Sequence, residues 1–302
     1  MNSGLSVIVP VYNEVDAVES TVRTLQNIIK DVGVYAELIV VDDGSNDGTS
    51  HVLNGLHGEL QILRHPSNRG YGAAIKTGIS HANYQYVAIT DADGTYPNED
   101  LPRLLGKMET HDMVVGARTS DEVHIPLIRR PAKWVLNKIA NYLSETKIPD
   151  LNSGFRIFRK DIAEQYFHIL PNRFSFTTTI TLAMISDGYR VHYEPINYHQ
   201  RAGKSKIKPG DAWAFLMLII RTITYFNPLR FFLPFAVFLF LVGIGRLGYD
   251  VFWLHNLTDS TTLLFLFALQ VSLIGIVADL IVKRSGPLKR VPSDDQSGNS
   301  FH

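Results

Sequence analysis

Cysteine is absent from the 302-residue chain. That excludes disulfides and thiol nucleophiles and argues against a zinc cluster. It fits a reducing compartment. Excess charge of either sign is also missing: 29 Lys+Arg balance 29 Asp+Glu. A neutral chain argues against nucleic acid as the main partner. The N-terminus has no basic segment before its first apolar run, and that run, Leu5 to Val11, is short. The expectation is therefore no signal peptide, and an N-terminal domain that stays in the cytosol. Mean hydropathy is +0.02 because a polar first part is averaged with a very apolar last part.

The first part alternates short β-rich runs with helical patterns. Strands are expected at Leu5–Val9, Glu37–Val41, Gln61–Arg64, Tyr86–Thr90 and Met113–Gly116. Helices are expected at Asp16–Lys30, Ser50–Leu56 and Gly72–Ala82. This order predicts an α/β domain with a doubly wound, Rossmann-like, mostly parallel sheet. Ligands then sit beyond the C-terminal strand ends, so the polar residues just after each strand matter most. Further on, the pattern predicts a helix over Pro131–Thr146, a turn and strand over Asp150–Phe158, a helix over Thr177–Asp187 and a strand over Arg190–Tyr198. Arg201–Pro209 is a basic loop.

Composition changes after residue 209. Asp211–Phe226 suits a helix lying at a membrane interface. Leu229–Trp253 and Thr261–Val282 are each long enough to span a hydrocarbon core. Arg246 with Asp250, and Asp279 with Lys283, are charge pairs at helical spacing near the span ends. The alternative is a buried hairpin in a soluble domain. The connector Leu254–Ser260 has no Lys or Arg, whereas the flanks hold Lys204, Lys206, Lys208, Arg230, Lys283, Arg284, Lys289 and Arg290. The positive-inside rule then puts both chain ends in the cytosol. The expected division is a catalytic domain over 1–209, an interface helix over 210–227, two spans over 228–284 and a disordered tail over 285–302. Gly243, Gly245, Gly248 and Gly275 offer close packing, within the hairpin or between copies.

Asp91-Ala92-Asp93 follows the expected strand Tyr86–Thr90. Two carboxylates separated by one small residue can share Mg²⁺ or Mn²⁺, with phosphate oxygens completing the shell. A turn or a helix cap is the plainer reading. Asp42-Asp43-Gly44-Ser45 follows the second strand, where a carboxylate can accept from a ribose or base, or only cap a helix with Ser45, Asn46 and Asp47. Pro10 to Glu14 lie on the same edge, and the glycines of Asn68-Arg69-Gly70-Tyr71-Gly72 allow a close approach to a ligand.

With these segments in this order, the chain resembles the family-2 glycosyltransferases of the GT-A fold. The resemblance rests on Val9 to Glu14, Val40 to Ser45 and Asp91 to Asp93. Gly116-Ala117-Arg118, Asp150 to Arg156 and Arg201 to Lys206 narrow it to the polyprenyl-phosphate branch, and it covers roughly residues 5–210. It implies a nucleotide-sugar held by Pro10, Tyr12, Glu14, Asp42, Asp43, Lys76, Asp91, Ala92 and Asp93, with Asp91 and Asp93 on the metal. It implies an acceptor phosphate held by Arg118, Arg130, Ser153, Arg201, Lys204, Ser205 and Lys206, the last group forming a mobile loop. Asp93, Asp150, Arg118 and Arg201 are the expected catalytic set, and the resemblance implies a homo-oligomer, with a tetramer as one form. Asp150 either orients a substrate or starts a turn; Arg156 either meets phosphate or makes a core ion pair.

Two departures stand out. Gly94, Thr95 and Tyr96 occupy the positions after Asp93 where dolichol-phosphate mannose synthase carries a metal-binding glutamine, which leaves the third protein ligand open. Thr177-Thr178-Thr179 replaces a segment in which many relatives carry a glutamate. A phosphate monoester is already anionic at neutral pH, so it needs cations more than a general base. Its single attack inverts the anomeric centre. A processive polysaccharide synthase is disfavoured because no Gln-x-x-Arg-Trp motif is present. A non-catalytic scaffold is disfavoured because Asp91, Asp93 and the basic loop are intact.

Overall fold

A computed structural model describes residues 2–56, 58, 60–119, 148–173, 175–198 and 228–285. Arg130, Arg201, Lys204, Ser205 and Lys206, the expected helices over 131–146 and 211–226, and the tail lie outside the described residues.

The chain opens with β1 (Asn2–Val11), α1 (Val18–Asp31), β2 (Ala36–Asp42), α2 (Thr49–Asn54), β3 (Gln61–Arg64), α3 (Tyr71–His81) and β4 (Tyr84–Ile89). It continues with α4 (Leu101–Gly106), β5 (Met113–Ala117), β6 (Arg156–Arg159), α5 (Lys160–Gln165), α6 (Phe176–Ser186) and β7 (Val191–Pro195). The seven strands form one sheet in the order β3-β2-β1-β4-β6-β5-β7. β1 pairs in parallel with β2 and β4, β2 with β3, and β5 with β7. Strand side chains alternate between two covered faces. Val7, Val9, Leu38 and Val40 meet Val18, Val22 and Leu25 of α1 on one face. Ile8, Ile39 and Val41 meet Ala74, Ile75 and Ile79 of α3 on the other. Each buried aliphatic side chain contributes roughly 1.5–3 kcal/mol of transfer free energy.

Three features differ from the sequence reading. β6 runs antiparallel to both β4 and β5. Helices α4 and α5 are six residues each, too short to show a helical period. Helix α1 begins at Val18, not Asp16: a turn closed by Ala17 N and Val18 N on Glu14 O precedes it, and the backbone N–H groups before that turn are held by another loop. Those of Asn13, Glu14 and Val15 donate to Ser45 Oγ, Thr49 Oγ1 and Asp47 Oδ2 at 3.0, 3.0 and 3.3 Å.

At the C-terminal end, α7 (Pro228–Tyr249) runs through a π turn into a connector and then α8 (Asp259–Ser285). Both apolar stretches, Pro228–Leu254 and Asp259–Val282, are long enough to cross a membrane. Gly243 faces Phe265 and Gly275 faces Phe232, so two of the four glycines seat aromatic rings of the opposite helix. Arg246 Nε lies 3.5 Å from Asp250 Oδ1. Asp250 Oδ2 accepts from Thr258 N and from the hydroxyls of Thr258 and Thr261 at 2.9, 2.6 and 2.7 Å, which closes the turn. The second expected pair rests on Lys283, whose side chain lies outside the described ones.

Candidate active site

The parallel strands end in loops that are laced together. Asn13 has φ +55°, a left-handed conformation that asparagine tolerates better than most residues. Its Oδ1 accepts from Asn46 N at 2.9 Å. Asp42 is buried, with Oδ1 accepting from Ser45 N at 2.9 Å and Oδ2 from the Ser50 hydroxyl. Asp43 is also buried: Oδ1 lies 2.6 Å from His65 Nδ1 and accepts from Arg69 N at 2.9 Å, and Oδ2 accepts from Gly70 N at 2.8 Å. Both carboxylates therefore build the loops around them. Ser45 turns to Asn13 and Asp47 to Val15 and Thr49, and α2 has no side-chain cap. Gly44, at φ +73°, passes close to the Ser67 backbone, where a Cβ would sit 2.7 Å from its carbonyl carbon. Pro10 is buried at the end of β1, and Tyr12 and Glu14 are half-buried in the loop after it.

Asp91 and Asp93 follow β4 and are half-buried on either side of buried Ala92. The Tyr71 hydroxyl, at the start of α3, donates to Asp91 Oδ1 at 2.9 Å. Asp93 Oδ1 accepts from the Thr95 hydroxyl at 2.6 Å and from Thr95 N at 3.2 Å. Burial first, and the Asp91 charge second, push the Tyr71 hydroxyl well above its usual pKa, so it stays a donor. Among the described residues no group of three or more His, Cys, Asp or Glu gathers for a metal. The donor set is thus two carboxylates at one strand end. That suits Mg²⁺ or Mn²⁺, which take their remaining ligands from water and phosphate oxygens.

The antiparallel strand β6 brings a second set of residues to this end. Gly154 backs onto Asp91: a Cβ there would lie 2.8 Å from Oδ2 and 2.9 Å from Oδ1. Gly154 N donates to the Tyr96 hydroxyl at 2.7 Å. Tyr96 stacks on Phe155 at 5.7 Å and meets Tyr198 edge-on at 5.4 Å. The Arg118 guanidinium lies over the Tyr198 ring at 5.2 Å. It also forks onto Asp150, with Nε to Oδ2 at 2.7 Å and Nη2 to Oδ1 at 2.9 Å. Burial opposes the Arg118 charge, yet its bond to Asp150 raises its pKa above the ordinary arginine value. Burial likewise works against the Asp150 carboxylate, and the Arg118 bonds overcome it, holding its pKa below the usual range. The fork uses one edge of the guanidinium and leaves Nη1 without a hydrogen bond among the described residues.

Ser153 and Arg156 are fully buried beside this pair. Arg156 does not make the expected core ion pair: among the described residues no carboxylate stands within ion-pair distance, and its bonds go to Ser153 O, Thr177 O and the Thr181 hydroxyl. Thr177–Thr179 form the buried first turn of α6, and the Thr178 hydroxyl donates to Asn152 Oδ1 at 2.5 Å. Lys76 is drawn aside: Nζ donates to Leu170 O and, at 3.0 Å, to Asn172 Oδ1. It lines an open groove of about 230 Å³ with Arg69, His81 and Phe167, and no strand-end carboxylate borders that groove.

Sequence reasoning did not assign Tyr71, Tyr96, Tyr198 or His65. Tyr71 stood within a quoted glycine motif, and that was the one available signal. The other three act through contacts between segments 12 to 102 residues apart, which no local pattern reveals.

Comparison with known proteins gives a consistent picture. Residues 6–167 match the family described as Glycosyl transferase family 2, and residues 227–283 match the GtrB C-terminal hairpin. A dolichyl-phosphate hexose transferase of Haloferax volcanii is 30% identical over 68% of this chain and 87% of its own length. A prophage bactoprenol glucosyl transferase homolog of Escherichia coli is 26% identical over 95% of this chain and 96% of its own. The low-salt glycan biosynthesis hexosyltransferase Agl6 of H. volcanii is 28% identical over 69% of this chain but only 51% of its own length. In fold, the chain is similar to glucosyl-3-phosphoglycerate synthase of Mycobacterium tuberculosis, solved with Mn²⁺, UDP and phosphoglyceric acid. The TM-score is 0.58 at 17% identity, over 73% of this chain and 77% of that one. With its GT-A-like sheet and its apolar hairpin, the chain belongs to glycosyltransferase family 2, in the branch of polyprenyl-phosphate hexosyltransferases.

Proposed function

We propose that the protein transfers a sugar from a UDP- or GDP-sugar to a polyprenyl phosphate at the cytosolic membrane face, with inversion at the anomeric carbon. One observation carries this reading. The Asp91 carboxylate and the Arg118 guanidinium are joined through Gly154 and the Tyr96–Tyr198 pair, so an acidic and a cationic subsite share one end of the sheet. The acidic subsite suits a divalent metal, which supplies positive charge against the departing diphosphate. Pro10, Tyr12 and Glu14 line the edge where the nucleoside lies, and Asp42 and Asp43 fix the loops that border it. Asp150 orients Arg118 so that its unbonded Nη1 faces the acceptor phosphate, and a guanidinium suits that anion. No general base is required, because the attacking phosphate oxygen carries no proton at neutral pH. Arg130 and the basic segment 201–206 add the remaining phosphate contacts in this reading. The hairpin anchors the enzyme, with both ends on the cytosolic side, and its exposed apolar faces meet lipid or other copies of the chain.

The test is transfer from labelled UDP- and GDP-sugars to undecaprenyl phosphate in detergent, with Mg²⁺, Mn²⁺ or EDTA. A metal-dependent lipid product that is lost in Asp93→Asn supports the reading. Bound nucleotide with no lipid product from any donor would remove the acceptor assignment. The anomeric coupling of the product decides inversion.

A further inference from the structure

Among the described residues Arg156 is the largest fully buried side chain. Four hydrogen bonds hold it, and every partner is a neutral oxygen. Nε and Nη2 both donate to Ser153 O, Nε at 3.0 Å; Nη1 donates to Thr177 O at 2.9 Å and to the Thr181 hydroxyl at 2.8 Å. A buried cation without an ion-pair partner is costly and needs compensation from its surroundings. The nearby Tyr71, Tyr96, Tyr193 and Asp150 act on it only through space.

Its place in the sheet says what it serves. Arg156 is opposite Ile89 of β4 and Val115 of β5, so it sits at the seam between these strands. Two residues past Ile89 stands Asp91, and three past Val115 stands Arg118. The turn that it grips runs from Asp150, which holds Arg118, to Gly154, which backs onto Asp91. The helix turn that it grips carries Thr178, which bonds Asn152 of the same turn. One guanidinium thus ties the donor-side carboxylate, the acceptor-side ion pair and the first turn of α6 into one unit.

We propose that Arg156 is a positioning residue for the transfer reaction: it fixes the Asp150–Gly154 turn against α6 and places a permanent buried positive charge beneath the two phosphate subsites. This rests on the lipid-phosphate reading above. In that reading two anionic groups must be brought together, and a preorganised cation favours their approach without touching either. Ser153 is part of the same unit. Its Oγ is buried with no hydrogen-bond partner, held at the edge of the gripped turn.

The experiment compares the full-length enzyme with Arg156→Met, Arg156→Lys and Thr181→Val in detergent. It reads thermal unfolding, nucleotide binding, and kcat and KM for the lipid acceptor. Arg156→Met removes the charge and keeps the bulk. Arg156→Lys keeps the charge and loses the fork, and Thr181→Val removes one bond from an intact guanidinium. The expected result is a kcat loss of roughly 30-fold or more in Arg156→Met, about what one unit charge near the reacting anions is worth at an effective dielectric of 20. Arg156→Lys recovers most of that loss although its melting temperature is no higher, and Thr181→Val keeps kcat within about threefold, since one hydrogen bond is worth about 1 kcal/mol. Activity that simply follows melting temperature across the series would overturn the proposal, because that is the signature of a structural role. So would equal kcat for the Met and Lys variants. An inactive wild type that still binds nucleotide would instead overturn the lipid-phosphate reading, and the proposal with it.

Discussion

The Arg118–Asp150 fork makes a quantitative prediction. Asp150 is 5% exposed and the Arg118 side chain 22%, so the pair is largely out of water. Asp150 accepts four hydrogen bonds, from Arg118 N, Nε and Nη2 and from Asn152 N. Asp150→Asn keeps the shape but turns one edge of the carboxylate into a donor facing the guanidinium. Removing one partner of a buried pair costs about 3–5 kcal/mol, and the partial exposure of Arg118 favours the lower figure. For a domain of this size about 3 kcal/mol lowers the melting temperature by roughly 6–12 °C. The pH dependence has a fixed sign. Burial works to raise the folded pKa of Asp150, but the Arg118 bonds outweigh it and hold that pKa below the ordinary aspartate value. The pair's contribution is therefore fully present above the unfolded value and lost as pH falls through the folded one. Melting of the full chain in detergent should show a constant gap between wild type and Asp150→Asn from neutral pH to about pH 5, closing below about pH 4. A double-mutant cycle with Arg118→Ala should give a coupling of about 2 kcal/mol. A gap unchanged at low pH, or a coupling under about 0.5 kcal/mol, would refute the assignment of the pair as a stabilising ionic unit.

Gly154→Ala should separate chemistry from stability. The atoms nearest its Cβ are those of the Asp91 carboxylate, the movable end of a side chain, so the cost to folding stays near 1 kcal/mol while Asp91 is displaced. Mn²⁺ binding in the presence of nucleotide, read by paramagnetic resonance, should weaken at least tenfold with little change in melting temperature; unchanged binding would detach Asp91 from the metal. Asp250→Ala should loosen the hairpin turn. It removes three hydrogen bonds at the start of α8, worth about 2–4 kcal/mol together, and leaves Arg246 without its partner. Limited proteolysis in detergent should then cut within residues 254–258 faster than in wild type, and an unchanged rate would show that the turn is held by helix packing alone.

The parallel half of the fold was legible because its signals are local. Each of β1, β2 and β4 holds a continuous apolar run, Val7–Val11, Leu38–Val41 and Tyr86–Ile89, and buried parallel strands hold such runs. Gln61–Arg64 was expected and found with the same bounds. The reversal of β6 was not legible, since a four-residue strand carries no mark of its direction. Among candidate site residues, Asp91, Asp93, Arg118 and Asp150 are brought to one end of the sheet, as strand ends and an adjoining turn. Asp42 and Asp43 also stand at a strand end, yet a sequence does not say whether a carboxylate faces a ligand or its own loop. Here their oxygens are taken by backbone N–H groups, a histidine and a serine.

In the proposed reading, the antiparallel strand explains how one end of this sheet hosts both an acidic and a cationic subsite. A sheet of parallel strands alone presents strand ends, loops and helix N-termini at one edge. Reversing β6 makes that edge receive the start of a strand, so the Asp150–Gly154 turn enters where the other chains leave. That turn supplies what the strand ends lack. Its glycine lets backbone lie against the Asp91 carboxylate, and its aspartate aims Arg118. Arg156, the first residue of β6, then places a guanidinium between the sheet, the Asp150–Gly154 turn and α6. A position so buried normally takes an aliphatic side chain, and substituting one would cost little stability if packing were its sole task. In the proposal above, the four-bonded arginine holds the Asp150–Gly154 turn, and with it the place of Asp91 and Arg118, before any substrate arrives.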